Sequence, residues 1–283
     1  MKRTIAIVAG GDSSELVVSL RSAQGLYSFI DKERYNLYIV EMEGHRWEVV
    51  LPDGSKTPID RNDFSFMENG EKKHFDFAYI TIHGTPGENG ILQGYFDLLG
   101  IPYSSCNVLV SAMTFNKFTC NQYLKGFGIR VAESLILRKG FEITDEEVIN
   151  KIGLPCFIKP NAGGSSFGVT KVKTKEDIQP AIEKAFEESD EVMIEAFMKG
   201  TEITCGCYKT SDKEVVFPIT EVVSANDSLT MEPNTTASHR KSHLPACPKI
   251  QPSVYVCSPR PFMTFWDAPA LSALTISLPK AKK

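Results

Sequence analysis

The sequence predicts an α/β protein that opens with a Rossmann-like unit, and three observations carry that expectation. Residues 4–9, TIAIVA, are an unbroken apolar run of strand length, as in a strand buried on both faces. Gly10-Gly11 then make a turn, and Leu16, Leu20, Ala23, Tyr27 and Ile30 recur at helical spacing over residues 15–30. Two further β-type runs, 35–41 and 75–82, follow, and the second delivers a polar, glycine-rich segment, HGTPGENGILQG, at 83–94. Strand, glycine turn, helix and strand in that order describe a doubly wound α/β unit, which places ligands at the carboxyl ends of its strands.

The remaining elements are read in the same way. Residues 47–58 form a hairpin around Asp53-Gly54. A helix covers 92–99 and stops at Gly100-Ile101-Pro102. One long helix is expected over 107–128, carrying Lys117, and then a strand over 130–137. Thr144 caps a short helix over 145–152. After the loop at 157–169 come a helix over 174–189 and strands over 191–197, 202–208 and 215–223.

Composition excludes several function classes. The chain has 283 residues, 42% hydrophobic and 23% charged, with a net charge of −4. That charge gives no bulk attraction for nucleic acid or an anionic membrane. No apolar run reaches the ~18 residues a membrane helix needs. The basic start, MKR, leads only into Ile5–Ala9 and then Gly10-Gly11, which reads as a first strand and not as a signal peptide. The seven cysteines include no CxxC pair, so a reduced, cytoplasmic protein is expected and not a disulfide framework or zinc site. Cys205 and Cys207 read as small packing residues.

The chemistry concentrates in FIKPNAGGSSFGV, residues 157–169. Glycines allow a ligand close to the backbone and aim several N–H groups at it. Lys159, just before the loop, can set a cation on a phosphate oxygen. The loop is not a Walker A sequence, since no Gly-Lys-Ser/Thr ends it, and its spacing is not GxGxxG. A phosphate cradle and an ordinary Gly/Ser hairpin both satisfy the loop taken alone. Glu195, in the otherwise apolar run EVMIEAF, is a carboxylate that needs a partner if buried.

Four segments together resemble the D-alanine–D-alanine ligases of the ATP-grasp superfamily: GGDSSELVVSL (10–20), HGTPGENGILQG (83–94), FIKPNAGGSSFGV (157–169) and VMIEAFMKGTEIT (192–204). The resemblance covers residues 1–225 in the family's order. It implies an N-terminal Rossmann-like, pre-ATP-grasp domain over 1–103. A small ATP-grasp lobe would follow over 104–188, and a large lobe would begin over 189–225. It further implies ATP and Mg2+ (or Mn2+) as cofactors, D-alanine as substrate, no nucleic-acid or membrane partner, and a homodimer. In such enzymes one carboxylate attacks the γ-phosphoryl of ATP, and the amine of a second D-alanine then attacks the acyl phosphate. Positioning and charge neutralisation dominate such a transfer. By resemblance, Glu15 holds the first D-alanine's ammonium, Ser19 orients it and His83 lies beside this subsite. Lys117 and Lys159 contact ATP phosphates. Ser165 fixes the substrate side, while Gly164, Ser166 and their neighbours offer N–H groups to the phosphates. Glu195 meets the adenine amino group, and Glu202 meets the ribose. Alternatives of the same or a different class are a ligase forming D-alanyl-D-lactate and a non-catalytic ATP-binding module.

Past residue 225 the chain departs from the family. Residues 226–283 hold 8 of the 16 prolines but only 3 of the 35 acidic residues, giving this segment +4 against −8 for the rest. The family's tyrosine- and lysine-bearing loop, its Arg-x-Asp strand and its Glu-x-Asn strand, which supply the magnesium ligands, are missing from this stretch. Reading the last base of each codon with the next two permits Phe-Phe-Asp-Tyr from residues 227–231. It permits Gly-Ala-Lys-Tyr-Asn-Gly-Gln from 231–238 and Leu-Ile-Arg-Ile-Asp-Tyr-Ile-Ile from 270–278. These strings match the family's missing parts in order, so a shifted reading frame from about residue 227 is expected. An incomplete, poorly packed C-terminal lobe without ligase activity follows from it.

Overall fold

In a computed structural model the chain divides into two compact units, Met1–Phe115 and Asn116–Lys283. Residues 2–164, 167–209, 214–218, 220–223, 240–243 and 272–278 are described.

The first unit is built on β1 (Arg3–Gly10), followed by α1 (Leu16–Phe29) and β2 (Tyr35–Glu43). Next come β3 (Arg46–Val50) and β4 (Lys56–Pro58), then a small hairpin, β5 (Phe66–Glu68) and β6 (Glu71–Lys73), and then β7 (Phe77–Ile80). The sheet order is β4-β3-β2-β1-β7, with β1 parallel to both β2 and β7. Successive side chains of β1 point to opposite faces. Ile7 and Ala9 pack with Ala23 of α1, and Ala6 and Val8 pack into an aromatic cluster with Phe64, Phe66, Phe75 and Phe96. Both faces are therefore covered, which is why this strand is apolar without alternation. Two helices complete the unit, α2 (Ile91–Leu99) and α3 (Val108–Phe115).

The second unit begins with α4 (Lys117–Gly126). The single helix expected over 107–128 is thus two. Asn116 takes extended φ/ψ of −85° and 101°, breaks the helix, and caps α4 by accepting from the Thr119 N–H at 2.8 Å. The break is also where the compact units divide, past the expected domain limit at 103. There follow β8 (Ser134–Arg138), α5 (Asp145–Lys151), β9 (Cys156–Pro160), β10 (Thr170–Val172), a 3-10 turn at Lys175–Asp177 and α6 (Ile178–Phe186). Thr144 closes the start of α5 with a full capping box to Glu147. The next strand, β11 (Glu191–Ala196), lies between β9 and β8 in a four-stranded sheet of order β10-β9-β11-β8. It thereby groups with the expected small lobe and not with the strands after it.

Those later strands are β12 (Thr201–Lys209), β13 (Glu214–Val216) and β14 (Thr220–Val223), the last two replacing the single strand expected over 215–223. Two segments past residue 225 join them: β15 (Arg240–His243) pairs with β14, and β16 (Ser272–Leu278) runs antiparallel to β12. Both segments thus take strand positions where none was expected. The rest of the expectation for 226–283 lies outside the described residues. No helix among the described residues is long and apolar enough to cross a membrane.

Candidate active site

In the first unit, the carboxyl ends of β1 and β7 meet at two loops. Gly10 stands at φ +104°, and a Cβ there would lie 2.2 Å from the Met42 carbonyl oxygen. Only glycine lets β1 end this close to β2. The Gly11 N–H donates to that carbonyl at 2.7 Å, and the Asp12 N–H donates to Thr85 O at 2.9 Å. Ser13 Oγ donates to His83 O at 2.7 Å and accepts from the Glu15 N–H at 3.3 Å. These bonds stitch the 10–15 turn to the 83–85 turn, so Glu15 and His83 belong to adjoining loops. Glu15 is buried at the start of α1, and His83 is half-buried. Ser19 is fully buried, with its Oγ accepting the Gly10 N–H at 3.0 Å. It lies behind the turn and fixes its shape. Glu88, exposed, accepts from the Gly84 N–H at 2.8 Å and holds the second loop.

In the second unit, alternation decides which side chains are free for chemistry. Cys156 and Ile158 of β9, with Val192 and Ile194 of β11, pack against α5 and α6. Phe157, Lys159, Glu191, Met193 and Glu195 therefore project from the opposite face. The register sets Met193 opposite Lys159 and Glu195 opposite Phe157, so Lys159 and Glu195 are diagonal neighbours. Lys159 Nζ donates to Glu195 Oε2 at 2.5 Å, and Asn121 Nδ2 of α4 donates to Glu195 Oε1 at 3.1 Å. The two ions are 20% and 16% exposed, so each largely depends on the other for neutralisation.

The glycine loop is the connection of an antiparallel pair, β9 and β10, with Ile158 opposite Thr170. Hairpin and candidate cradle are one object. Gly168 stands at φ +68°, and a Cβ there would lie 2.9 Å from the Pro160 ring, so glycine is what fits at the base of the loop. Lys117 Nζ donates to Gly163 O at 2.7 Å, so its ammonium stands at the mouth. Gly164 is exposed beside it. Ser165 and Ser166 lie outside the described residues, and Glu202 is described by its backbone alone, opposite Ser277.

Sequence reasoning passed over a hub beneath this loop. Asn161 is 1% exposed, and Glu191 at the start of β11 accepts from its Nδ2 at 2.8 Å. Arg138 Nε donates to the other Glu191 oxygen at 2.9 Å. The Arg138 guanidinium first, then the Asn161 and Asn116 amides, holds the Glu191 carboxyl below its ordinary value of 4.5. A lowered folded value contributes stability that is complete above the unfolded value and is lost as pH falls through the folded one. The wild-type chain should therefore lose stability more steeply below about pH 4.5 than Glu191→Gln does. Urea unfolding of both proteins across pH 3–7 checks this, because the remaining carboxylates cancel in the difference. Parallel curves would remove Glu191 from the acid response.

The donor set, two ammonium groups beside a glycine loop, fits a polyphosphate. Among the described residues, no group of three or more His, Cys, Asp or Glu side chains could hold a metal ion.

Known proteins match the same two regions. Residues 4–106 match the family model for the D-ala D-ala ligase N-terminus, and residues 123–251 match that for its C-terminus. A D-alanine–D-alanine ligase from Phocaeicola vulgatus is 99% identical over 227 residues, 80% of this chain and 70% of that protein. Among solved structures, the D-alanyl-alanine synthetase A of Vibrio cholerae superposes with a TM-score of 0.73 at 29% identity. That superposition covers 84% of this chain and 73% of the Vibrio chain. A Bacillus anthracis D-alanine–D-alanine ligase complexed with ATP gives a TM-score of 0.65 at 29% identity, covering 86% and 72%. The fold, the α/β order and these matches agree, and the chain belongs to the D-alanine–D-alanine ligase family.

Proposed function

We propose that residues 1–225 carry the ATP- and D-alanine-binding apparatus of a D-alanine–D-alanine ligase, an ATP-dependent ligase of peptidoglycan synthesis. The observation that carries the reading is the pair of ammonium groups, Lys117 and Lys159, around the β9–β10 glycine loop. Lys117 and Lys159 take the phosphates, with Gly164, Ser165 and Ser166 as the loop's contribution, Glu195 the adenine amino group and Glu202 the ribose. Glu15 and His83 bound the first D-alanine subsite, Ser165 fixes the substrate, and Ser19 acts by holding the Gly10 turn. Members of the family use ATP and Mg2+. The metal supplies charge neutralisation at the transferring phosphoryl group. The domains divide as a ligase N-terminal domain (1–103), a small lobe (104–188), to whose sheet β11 adds a strand, and the start of a large lobe (189–225), in a cytoplasmic homodimer.

Glu195 now takes the Lys159 ammonium, so nucleotide entry requires the pair to part. Lys159→Met both removes a charged donor from the phosphates and leaves Glu195 without its cation. ATP affinity of the full chain should fall by about 100-fold, since one hydrogen bond to a charged group contributes about 1.5–3 kcal/mol. Isothermal titration of ATP, with D-alanine present and absent, measures it. A wild-type chain that binds neither ligand would remove the proposal, and unchanged affinity in Lys159→Met would remove Lys159 from the phosphate site.

A further inference from the structure

We infer that Asn161 is a positioning residue for the phosphate site: it holds the Lys117 end of α4 against the root of the glycine loop. The inference rests on the reading of Lys117 and Lys159 as phosphate contacts. Every polar group of Asn161 is engaged. Its N–H donates to Glu191 O at 2.8 Å, and its carbonyl accepts from the Lys117 N–H at 3.0 Å. Its Oδ1 accepts from the Phe118 N–H at 2.8 Å, and its Nδ2 donates to Glu191 Oε2, also at 2.8 Å. One residue thus joins the end of β9, the start of β11 and the first turn of α4.

The consequence follows from what a helix start leaves open. Four N–H groups lack partners within a helix's own first turn. In α4, Asn161 takes those of Lys117 and Phe118, and the Asn116 side chain takes that of Thr119, while the Cys120 N–H already makes the helix's first internal bond, to the Asn116 carbonyl. The N–H groups of Lys117, Phe118 and Thr119 are all engaged, so this first turn offers none of the three to an anion. What α4 presents to the loop is the Lys117 ammonium, on Gly163 O. Gly163 is two residues from Asn161 in the chain, so Asn161 fixes both ends of that bond. Glu191, braced by Arg138, fixes the orientation of the Asn161 amide. An Asp at 161 would keep the acceptor for Phe118 but face the Glu191 carboxylate. Pairing Asn161→Asp with Glu191→Gln reverses the amide and carboxylate roles while keeping the bonds to Phe118 and Arg138.

The test uses the full chain and two readouts, ATP affinity by titration calorimetry and amide exchange of the Lys117–Phe118 segment without ligand. Asn161→Ala and Asn161→Asp should each weaken ATP binding by about tenfold, as expected when a buried donor loses its acceptor. Both should speed exchange at Lys117 and Phe118. The double variant Asn161→Asp/Glu191→Gln should return to within about threefold of wild type in affinity and recover slow exchange. Wild-type affinity and exchange in Asn161→Ala would overturn the inference, as would a double variant no better than Asn161→Asp. If the wild-type chain binds no ATP, the functional reading fails by itself. The exchange data then decide whether Asn161 holds α4 to the loop.

Discussion

Gly10→Ala is expected to destabilise the first unit by about 3–5 kcal/mol, combining a glycine-only backbone angle with overpacking against a neighbouring strand. The position has no room to relax. Its φ is +104°, and the added methyl carbon would lie 2.2 Å from Met42 O and 3.1 Å from Met42 N and C. Those atoms belong to β2, which is paired with β1 in parallel register from Tyr35 to Met42, so moving them means breaking this pair of the sheet. The same shift strips Ser19 Oγ of the Gly10 N–H and displaces the turn that leads to Glu15. Gly25→Ala is the internal control: it lies inside α1 with nothing within 4 Å of the added carbon. There alanine should stabilise by about 0.5–1 kcal/mol through helix propensity. Urea unfolding followed by Trp47 fluorescence, in a Trp266→Phe background, reads this unit. A loss at Gly10 below about 1 kcal/mol, no more than an average point substitution costs, would refute the strain argument.

Elements whose patterns are set by burial are legible in the sequence, and those set by local or long-range polar bonds are not. β1 is readable because both of its faces are covered, and α1 because Ala23, Leu20 and Tyr27 share one face on the sheet. The β5–β6 hairpin escapes a reading by apolar runs, since its strands are three residues each. Its signal is Asn69-Gly70, both at positive φ, the turn that a two-residue hairpin demands. The break at Asn116 is hidden because apolar residues continue through it. The Asn that ends α3 and caps α4 carries the only local hint. At the site, Lys159 and Glu195 stand out individually, but their pairing depends on the β9–β11 register, which no local pattern encodes. Asn161 reads as an ordinary turn residue, and its role exists only through Lys117, Phe118 and Glu191, all distant in the sequence.

The full chain is expected to show no D-alanine-dependent release of ADP from ATP, even where it binds both ligands. The reason lies in composition. Phosphoryl transfer to a carboxylate concentrates negative charge between two anions, and it proceeds when cations held by carboxylates neutralise that charge. Residues 226–283 contain three acidic residues, Asp227, Glu232 and Asp267, in none of the family's Arg-x-Asp or Glu-x-Asn settings. The near-identity to the Phocaeicola vulgatus enzyme extends over 227 residues and leaves 30% of that relative unmatched. The C-terminal family model reaches further, to residue 251. Residue 251 still precedes the stretch 270–278, whose shifted reading frame permits Leu-Ile-Arg-Ile-Asp. Replacing everything after Ala225 with the corresponding segment of the Phocaeicola vulgatus relative should raise ADP release by at least about 10³-fold, the scale on which charge-stabilising groups act in such transfers. Coupled-enzyme assay of the two proteins side by side reads the difference. Comparable rates would refute the inactivity of the chain, and a chimera that binds ATP yet stays silent would place the defect before residue 226. The gene sequence supplies a separate check. Displacement by one base near codon 227 should restore the family's strands in frame, and a gene lacking any such homologous reading would leave the tail a true variant of the family.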